Sequence, residues 1–166
     1  LDLKSLAARK NNDQSISTRM KPIWQGVFPA VTTQLKMDQS LDLGATARHV
    51  EVLIESGVTG LIMLGSLGEN QSLEPDEKRR VLEATVKQVQ GRVPVLSGVA
   101  ETSTAAACRY VRDGEKLGTD GFMLLPAMIY KGDPRETLTH FRAVAQATGR
   151  PIMIYNNPIS YANDIT

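Results

Sequence analysis

Five short apolar runs, each closing in polar or glycine residues, punctuate the chain: Val27–Thr33, Gly60–Gly65, Val93–Val99, Gly121–Pro126 and Pro151–Pro158. Apolar runs of this length bounded by turn signals predict buried strands. The fifth predicts a fully buried strand that ends in a tyrosine and two amides, Tyr155-Asn-Asn157. Between the runs lie four segments with apolar residues at helical spacing. Leu43–Ser56 has Asp42 as its N-cap and Gly57 as its stop. Pro75–Gln90 opens on proline, whose fixed φ suits a first turn, and stops at Gly91. Ser103–Leu117 predicts a cap at Thr102 and closes at Gly118. Pro134–Thr148 follows Asp133, with Glu136 three residues on as a capping-box pair, and ends at Gly149.

The strands begin near residues 27, 60, 93, 121 and 151, so one strand and one helix recur about every thirty residues. Such regular alternation predicts βαβ crossovers and a parallel sheet. Two architectures satisfy it. A doubly wound sheet carries a glycine fingerprint after its first strand, but that turn reads Pro29-Ala-Val-Thr-Thr-Gln34. A (β/α)8 barrel takes roughly 250 residues, of which this chain would supply about the first five units. Either way, buried strands whose C-terminal ends turn polar are where α/β proteins present chemistry. Residues 1–22 lack this periodicity. Lys4, Arg9, Lys10, Asn11, Asn12 and Asp13 make them polar, and they read as a flexible extension before a domain over residues 23–166.

Composition narrows the function only by exclusion. Of 166 residues, 42% are hydrophobic and 22% charged, which suits one globular domain. A net charge of +1 gives no reason to expect a nucleic-acid or membrane partner. No apolar run reaches the roughly 18 residues of a membrane span. The lone Cys108 excludes a disulfide framework and points to a reducing, cytoplasmic setting. His49 and His140 stand far apart, and no cluster has metal-ligand spacing, so neither a metal nor another cofactor is expected.

The strand ends carry the chemistry. Gly65-Ser-Leu-Gly-Glu69 after the second run resembles the G-T-T-G-E motif of the dihydrodipicolinate synthase and N-acetylneuraminate lyase family. Val27–Thr33 resembles that family's first strand, and Ile154-Tyr-Asn-Asn-Pro158 resembles its Y-N-x-P motif after strand five. The resemblance covers residues 23–166. It implies the fold class α/β, as an incomplete (β/α)8 TIM barrel with about the first five strands and four helices. It also implies class I chemistry, in which a lysine forms a Schiff base with a small 2-keto acid, and a homo-oligomer. Tyr155 and Ser66 would be the catalytic residues, Tyr155 as acid/base and Ser66 as proton relay. Gly65 and Leu67 would hold the substrate carboxylate. Thr32 and Thr33 stand open between substrate contact and loop bonding, and Tyr130 is a further candidate. Glu69 reads as a loop residue bonding backbone, and Asn156 and Asn157 as loop-shaping amides. The physical logic is consistent. A glycine-rich turn lets backbone amides approach an anion, and a hydroxyl can both donate and accept. The Ser66 and Tyr155 hydroxyls are expected within a hydrogen bond or one water of each other.

Departures from the synthase pattern redirect the substrate. Leu67 stands where the motif has its second threonine, and Ser160 stands where the synthase has an arginine able to grip a second carboxylate. Tyr130 lies later after Pro126 than its family counterpart. These changes favour sugar-acid aldolases, dehydratases or a hydroxyproline-pathway deaminase over dihydrodipicolinate synthesis. The family's Schiff-base lysine lies one unit beyond strand five, and no lysine of this chain fills that place; Lys131 is the last. Catalysis by these 166 residues alone is therefore not expected. The alternative is a non-catalytic half-barrel or assembly module.

Overall fold

Strands β1 (Leu61–Met63), β2 (Val95–Val99), β3 (Gly121–Leu124) and β4 (Ile152–Ile154) pair in parallel, in their order along the chain. The computed structural model describes residues 24–126, 130–161 and 163–165, so the extension expected over residues 1–22 lies outside them. Parallel neighbours need a crossover. Helices α2 (Pro75–Val89), α3 (Thr104–Leu117) and α4 (Pro134–Gln146) provide the three, and α1 (Leu43–Glu55) precedes β1. A single further turn, α5 (Pro158–Tyr161), follows β4.

The side chains alternate as the pleat requires. Leu61, Met63, Val95, Val99, Phe122 and Leu124 join the core beneath the helices. Ile62, Leu96 and Met123 face the opposite side, with Trp24, Phe28, Tyr155 and Tyr161 packed against them. Both faces are thus apolar, which explains why the strands read as continuous hydrophobic runs rather than alternating ones. Each helix buries one stripe, such as Val81, Leu82, Thr85 and Val89 on α2. Fully burying one such aliphatic residue is worth roughly 1.5–3 kcal/mol. Gly98, within β2, admits the chain leaving β1, since a Cβ there would lie 2.3 Å from the Leu64 carbonyl oxygen.

The cap chemistry largely follows the sequence. Asp42 accepts from the Ala45 amide at 2.8 Å, and Asp133 with Glu136 closes a capping box. Pro75 opens α2 as expected, after a second box formed by Glu74 and Glu77. The third helix differs, because Ser103, not Thr102, supplies its cap, accepting from the Ala106 amide at 3.3 Å. Helix α4 stops at Gln146, short of the expected Thr148.

Two strands differ from expectation. Val27–Thr33 runs extended beside β1 but makes one parallel bridge, Ala30 to Ile62, rather than a ladder. The Thr59 and Ile62 amides donate to the Val27 and Pro29 carbonyls, so a three-residue step on one side meets a two-residue step on the other. That offset and the missing N–H of Pro29 interrupt the ladder. The fifth run is not fully buried: β4 is an edge of the described sheet, and Ile154 is 53% exposed.

Candidate functional site

The chain leaves β1 through Leu64 at φ +51°, makes a 3-10 turn over Ser66–Gly68, and exits through Glu69 at φ +58°. The Gly68 and Glu69 amides donate to the carbonyls of Gly65 and Ser66 at 3.0 and 3.2 Å. The amides of Ser66 and Leu67, being first in the turn, have no carbonyl within it to bond. The turn is seated from below. The buried Thr33 hydroxyl donates to the Gly68 carbonyl at 2.7 Å, and a Cβ on Gly68 would lie 3.0 Å from the Val31 carbonyl oxygen.

Above the C-terminal ends of the strands lies a cavity of about 280 Å³. Phe28, Ile62, Met123 and Leu125 form its apolar wall; Gly65 and Leu67 border it, and Ser66, Tyr155 and Tyr161 bring hydroxyls. Tyr155 is placed by its amide, which donates to the Leu124 carbonyl at 3.0 Å and carries the β3–β4 pairing one residue further. Its hydroxyl accepts from Asn157 Nδ2 at 3.3 Å, while Asn157 Oδ1 accepts from the Ser160 amide at 3.1 Å. Asn156 bonds Asp164 Oδ1 and the Ile165 amide. Both amides shape the loop, as the sequence suggested.

The direct hydroxyl partner of Ser66 is Tyr161, not Tyr155, with Ser66 Oγ and Tyr161 Oη 2.9 Å apart. The Tyr155 and Tyr161 rings meet edge-on with centroids 6.0 Å apart. Sequence reasoning missed this role of Tyr161. The available signal was Asn157-Pro158, an N-cap residue followed by proline at a first helical position, which starts a turn. Four candidates, Gly65, Ser66, Leu67 and Tyr155, thus share one cavity. Thr32 does not join them; its hydroxyl accepts from Gln34 Nε2 at 2.9 Å. Thr33 acts beneath the turn. Tyr130 is exposed and donates to Glu136 Oε2 at 3.3 Å; the nearby carboxylate raises its pKa. It borders a different cavity, beside His140. Glu69 is exposed, and its carboxylate has no hydrogen bond to loop backbone among the described residues.

A second cavity of about 600 Å³ adjoins the first across Ser66 and Tyr161. Lys78 and Glu101 line it as an ion pair of 2.8 Å, their side chains only 6% and 13% exposed. The ammonium also donates to Asn70 Oδ1 at 3.2 Å and lies 5.8 Å from the Tyr110 ring centroid. Asn70 in turn donates to the Gly98 carbonyl at 3.2 Å, tying the turn after β1 to β2. This pair too went unread in the sequence. Its signal is a lysine three and four residues before Val81 and Leu82, on the stripe that α2 buries. No group of three His, Cys, Asp or Glu residues suited to a metal occurs among the described residues. No helix among them is long and apolar enough to cross a membrane.

Parallel strands in sequence order, with glycine and hydroxyl groups gathered at their C-terminal ends, define the first part of a (β/α)8 barrel. Comparison with known proteins gives the family: the chain belongs to the dihydrodipicolinate synthetase family, whose model matches residues 23–166. It is 36% identical over 141 residues to a 4-hydroxy-tetrahydrodipicolinate synthase of Methanococcus maripaludis, covering 85% of this chain and 48% of that one. It superimposes with a TM-score of 0.84 on YagE, an Escherichia coli K12 prophage protein of the dihydrodipicolinic acid synthase family crystallised with pyruvate, at 30% identity over 87% of this chain and 49% of that one. Dihydrodipicolinate synthase from Aquifex aeolicus gives 0.82 at 29% identity, over 86% of this chain and 48% of that one. The chain therefore spans about half the length of the relatives it matches, and corresponds to their N-terminal part.

Proposed function

We propose that the chain carries the carboxylate-binding and proton-handling part of a class I lyase or hydro-lyase that acts on a small 2-keto acid through a lysine Schiff base. One observation carries the reading. Gly65, Leu67 and the Ser66 and Tyr155 hydroxyls border a single cavity at the C-terminal ends of the strands. The amides of Ser66 and Leu67, which have no carbonyl within the turn to bond, would take the substrate carboxylate. The Ser66 hydroxyl would pass a proton between its partners, and Tyr155 would protonate or deprotonate the reacting carbon or departing oxygen. The phenol is held in place by Asn157, whose Nδ2 donates to its oxygen at 3.3 Å, which leaves its O–H directed to a substrate. The pyruvate complex of YagE supports the substrate class.

The imine needs an amine. By family resemblance that lysine follows a sixth strand, counting Val27–Thr33 as the first, in the half that this chain does not span. Lys78 lies beside the cavity, but its nitrogen is engaged by Glu101 at 2.8 Å and by Asn70 at 3.2 Å rather than directed at a substrate carbonyl. The partners we assign are thus a small 2-keto acid and further copies of the chain, without nucleic acid, membrane, metal or other cofactor, in the cytoplasm. The exposed Ile154 on β4 favours self-association, because an uncovered edge invites pairing.

Borohydride trapping tests the reading. Incubated with pyruvate and reductant, the chain of 166 residues should keep its mass. A chimera joining residues 23–166 to the C-terminal half of the M. maripaludis relative should gain one reduced pyruvate. Ser66→Ala and Tyr155→Phe should slow that gain by roughly 10²–10⁴-fold. A folded chimera without adduct would refute the proposal, and a non-catalytic half-barrel would then be the better account.

A further inference from the structure

The turn after β1 is tied to α2 by a chain of buried contacts to which the keto-acid reading gives no role. Lys78 Nζ meets Glu101 Oε1, just past the end of β2, at 2.8 Å and donates to Asn70 Oδ1 at 3.2 Å. Asn70 Nδ2 donates to the Gly98 carbonyl, within β2, at 3.2 Å. The Asn70 backbone amide donates to the Gly65 carbonyl at 3.3 Å, and the residue is fully buried. A carboxamide fits such a site either way round, but its two partners here agree. An ammonium only donates and a carbonyl oxygen only accepts, so Oδ1 faces Lys78 and Nδ2 faces Gly98. The Gly98 end matters because β2 touches the turn there: a Cβ on Gly98 would lie 2.9 Å from both the Cα and the N of Gly65.

From these contacts we infer that Lys78 is a positioning residue for carboxylate binding, acting through Asn70. Lys78 sets which way the Asn70 carboxamide points. Asn70 then holds Gly65 against β2, so that the Ser66 and Leu67 amides keep one direction. The inference rests on the keto-acid reading above, which gives those amides their ligand. Glu101 holds the amine at its post, and the Tyr110 ring lies beneath it, 5.8 Å from Nζ to the ring centroid. An apolar side chain of similar length at position 78 would fill the space but give Asn70 Oδ1 no donor. The carboxamide would then lose the contact that fixes its orientation, and in the reversed one its oxygen would oppose the Gly98 carbonyl.

Lys78→Met combined with Glu101→Leu separates positioning from folding. Removing both charges together should return much of the stability that Lys78→Met alone loses, yet Asn70 still lacks its donor. Pyruvate is titrated into the full chain while NMR follows the Ser66 and Leu67 amides and the Asn70 side-chain NH2. In the wild type, pyruvate should shift both backbone amides, and the Asn70 NH2 protons should be distinct and slow to exchange. In the double variant those protons should exchange at least about 10-fold faster. Pyruvate should bind it about 5-fold more weakly, the worth of one hydrogen bond, although the urea midpoint has recovered. A purely structural role would restore affinity along with stability. Asn70→Ala should weaken pyruvate to a similar extent, and adding it to the double variant should cost no further affinity, because both changes break one chain of contacts. Wild-type affinity in the double variant, or losses that add, overturns the inference and leaves the keto-acid reading standing. If pyruvate leaves Ser66 and Leu67 unmoved in the wild type, both fall. Should the double variant fail to fold, Asn70→Ala decides alone, and unchanged affinity there overturns the inference.

Discussion

Thr33 donates its hydroxyl to the carbonyl oxygen of Gly68 at 2.7 Å, linking the first extended segment to the turn after β1. Both residues are buried, so this bond anchors the turn through a group largely screened from solvent. Thr33→Val keeps the shape and removes the donor. Leaving the Gly68 carbonyl unsatisfied should cost about 1–3 kcal/mol, measured by urea unfolding. Amide exchange at Ser66–Gly68 should accelerate more than exchange in β2; uniform acceleration would show that the bond stabilises the whole fold rather than the turn.

Lys78 and Glu101 should behave as a buried pair. Removing one partner strands the other charge in a site that is only 6% or 13% exposed. Lys78→Met alone should lose roughly 3–5 kcal/mol, and adding Glu101→Leu should restore much of it. A double-mutant cycle by denaturant titration measures the coupling. Additive single losses would show that the pair is not a unit.

Gly98 tests the closeness of β1 and β2. Gly98→Ala places a methyl against the Leu64 carbonyl, where a Cβ would lie 2.3 Å away. Backbone must shift, at a cost of about 1–3 kcal/mol or more. Reduced thermal stability together with displaced amide resonances at Leu64 and Gly65 is the expected result.

His140 gives the fold an acid-sensitive point. Burial lowers its pKa below the ordinary 6.5, and its Nδ1 contacts Thr104 Oγ1 at 2.9 Å. Tyr130 and Glu136 border the same cavity, with Glu136 committed to the Asp133 amide and the Tyr130 hydroxyl. With the folded pKa below the unfolded value, the unfolded chain binds the proton first. The histidine's contribution is therefore complete above pH 6.5 and declines as pH falls through 6.5 toward the folded value. His140→Gln should flatten the stability profile in that window, as followed by thermal unfolding between pH 5 and 8.

The parts of this fold legible in the sequence were those written by local chemistry. Asp42, the Asp133–Glu136 pair and Pro75 marked helix starts because caps act within three residues. The Gly65–Glu69 and Tyr155–Pro158 motifs located the strand ends that form the cavity. What sequence did not give depends on distant partners. Thr33 could serve substrate or loop until Gly68, thirty-five positions on, settled its bond. Tyr161 took the place next to Ser66 across ninety-five positions. Val27–Thr33 has strand composition, yet its ladder is interrupted by Pro29 and an offset in the facing segment. Lys78 went unread because a buried lysine is recognisable only when its carboxylate is known.

The order β1-β2-β3-β4 has a consequence for synthesis. Each strand pairs with the one made just before it, and each crossover helix can dock as soon as its strand is in place. No strand in the series waits for a partner still inside the ribosome, apart from the outer margin of the latest one. Assembly can therefore advance with translation, N-terminal units first. The vulnerable surface at any moment is the newest margin alone, so a pause in elongation late in this region would leave β4, with its exposed Ile154, as the point where a nascent chain meets chaperones or its own copies.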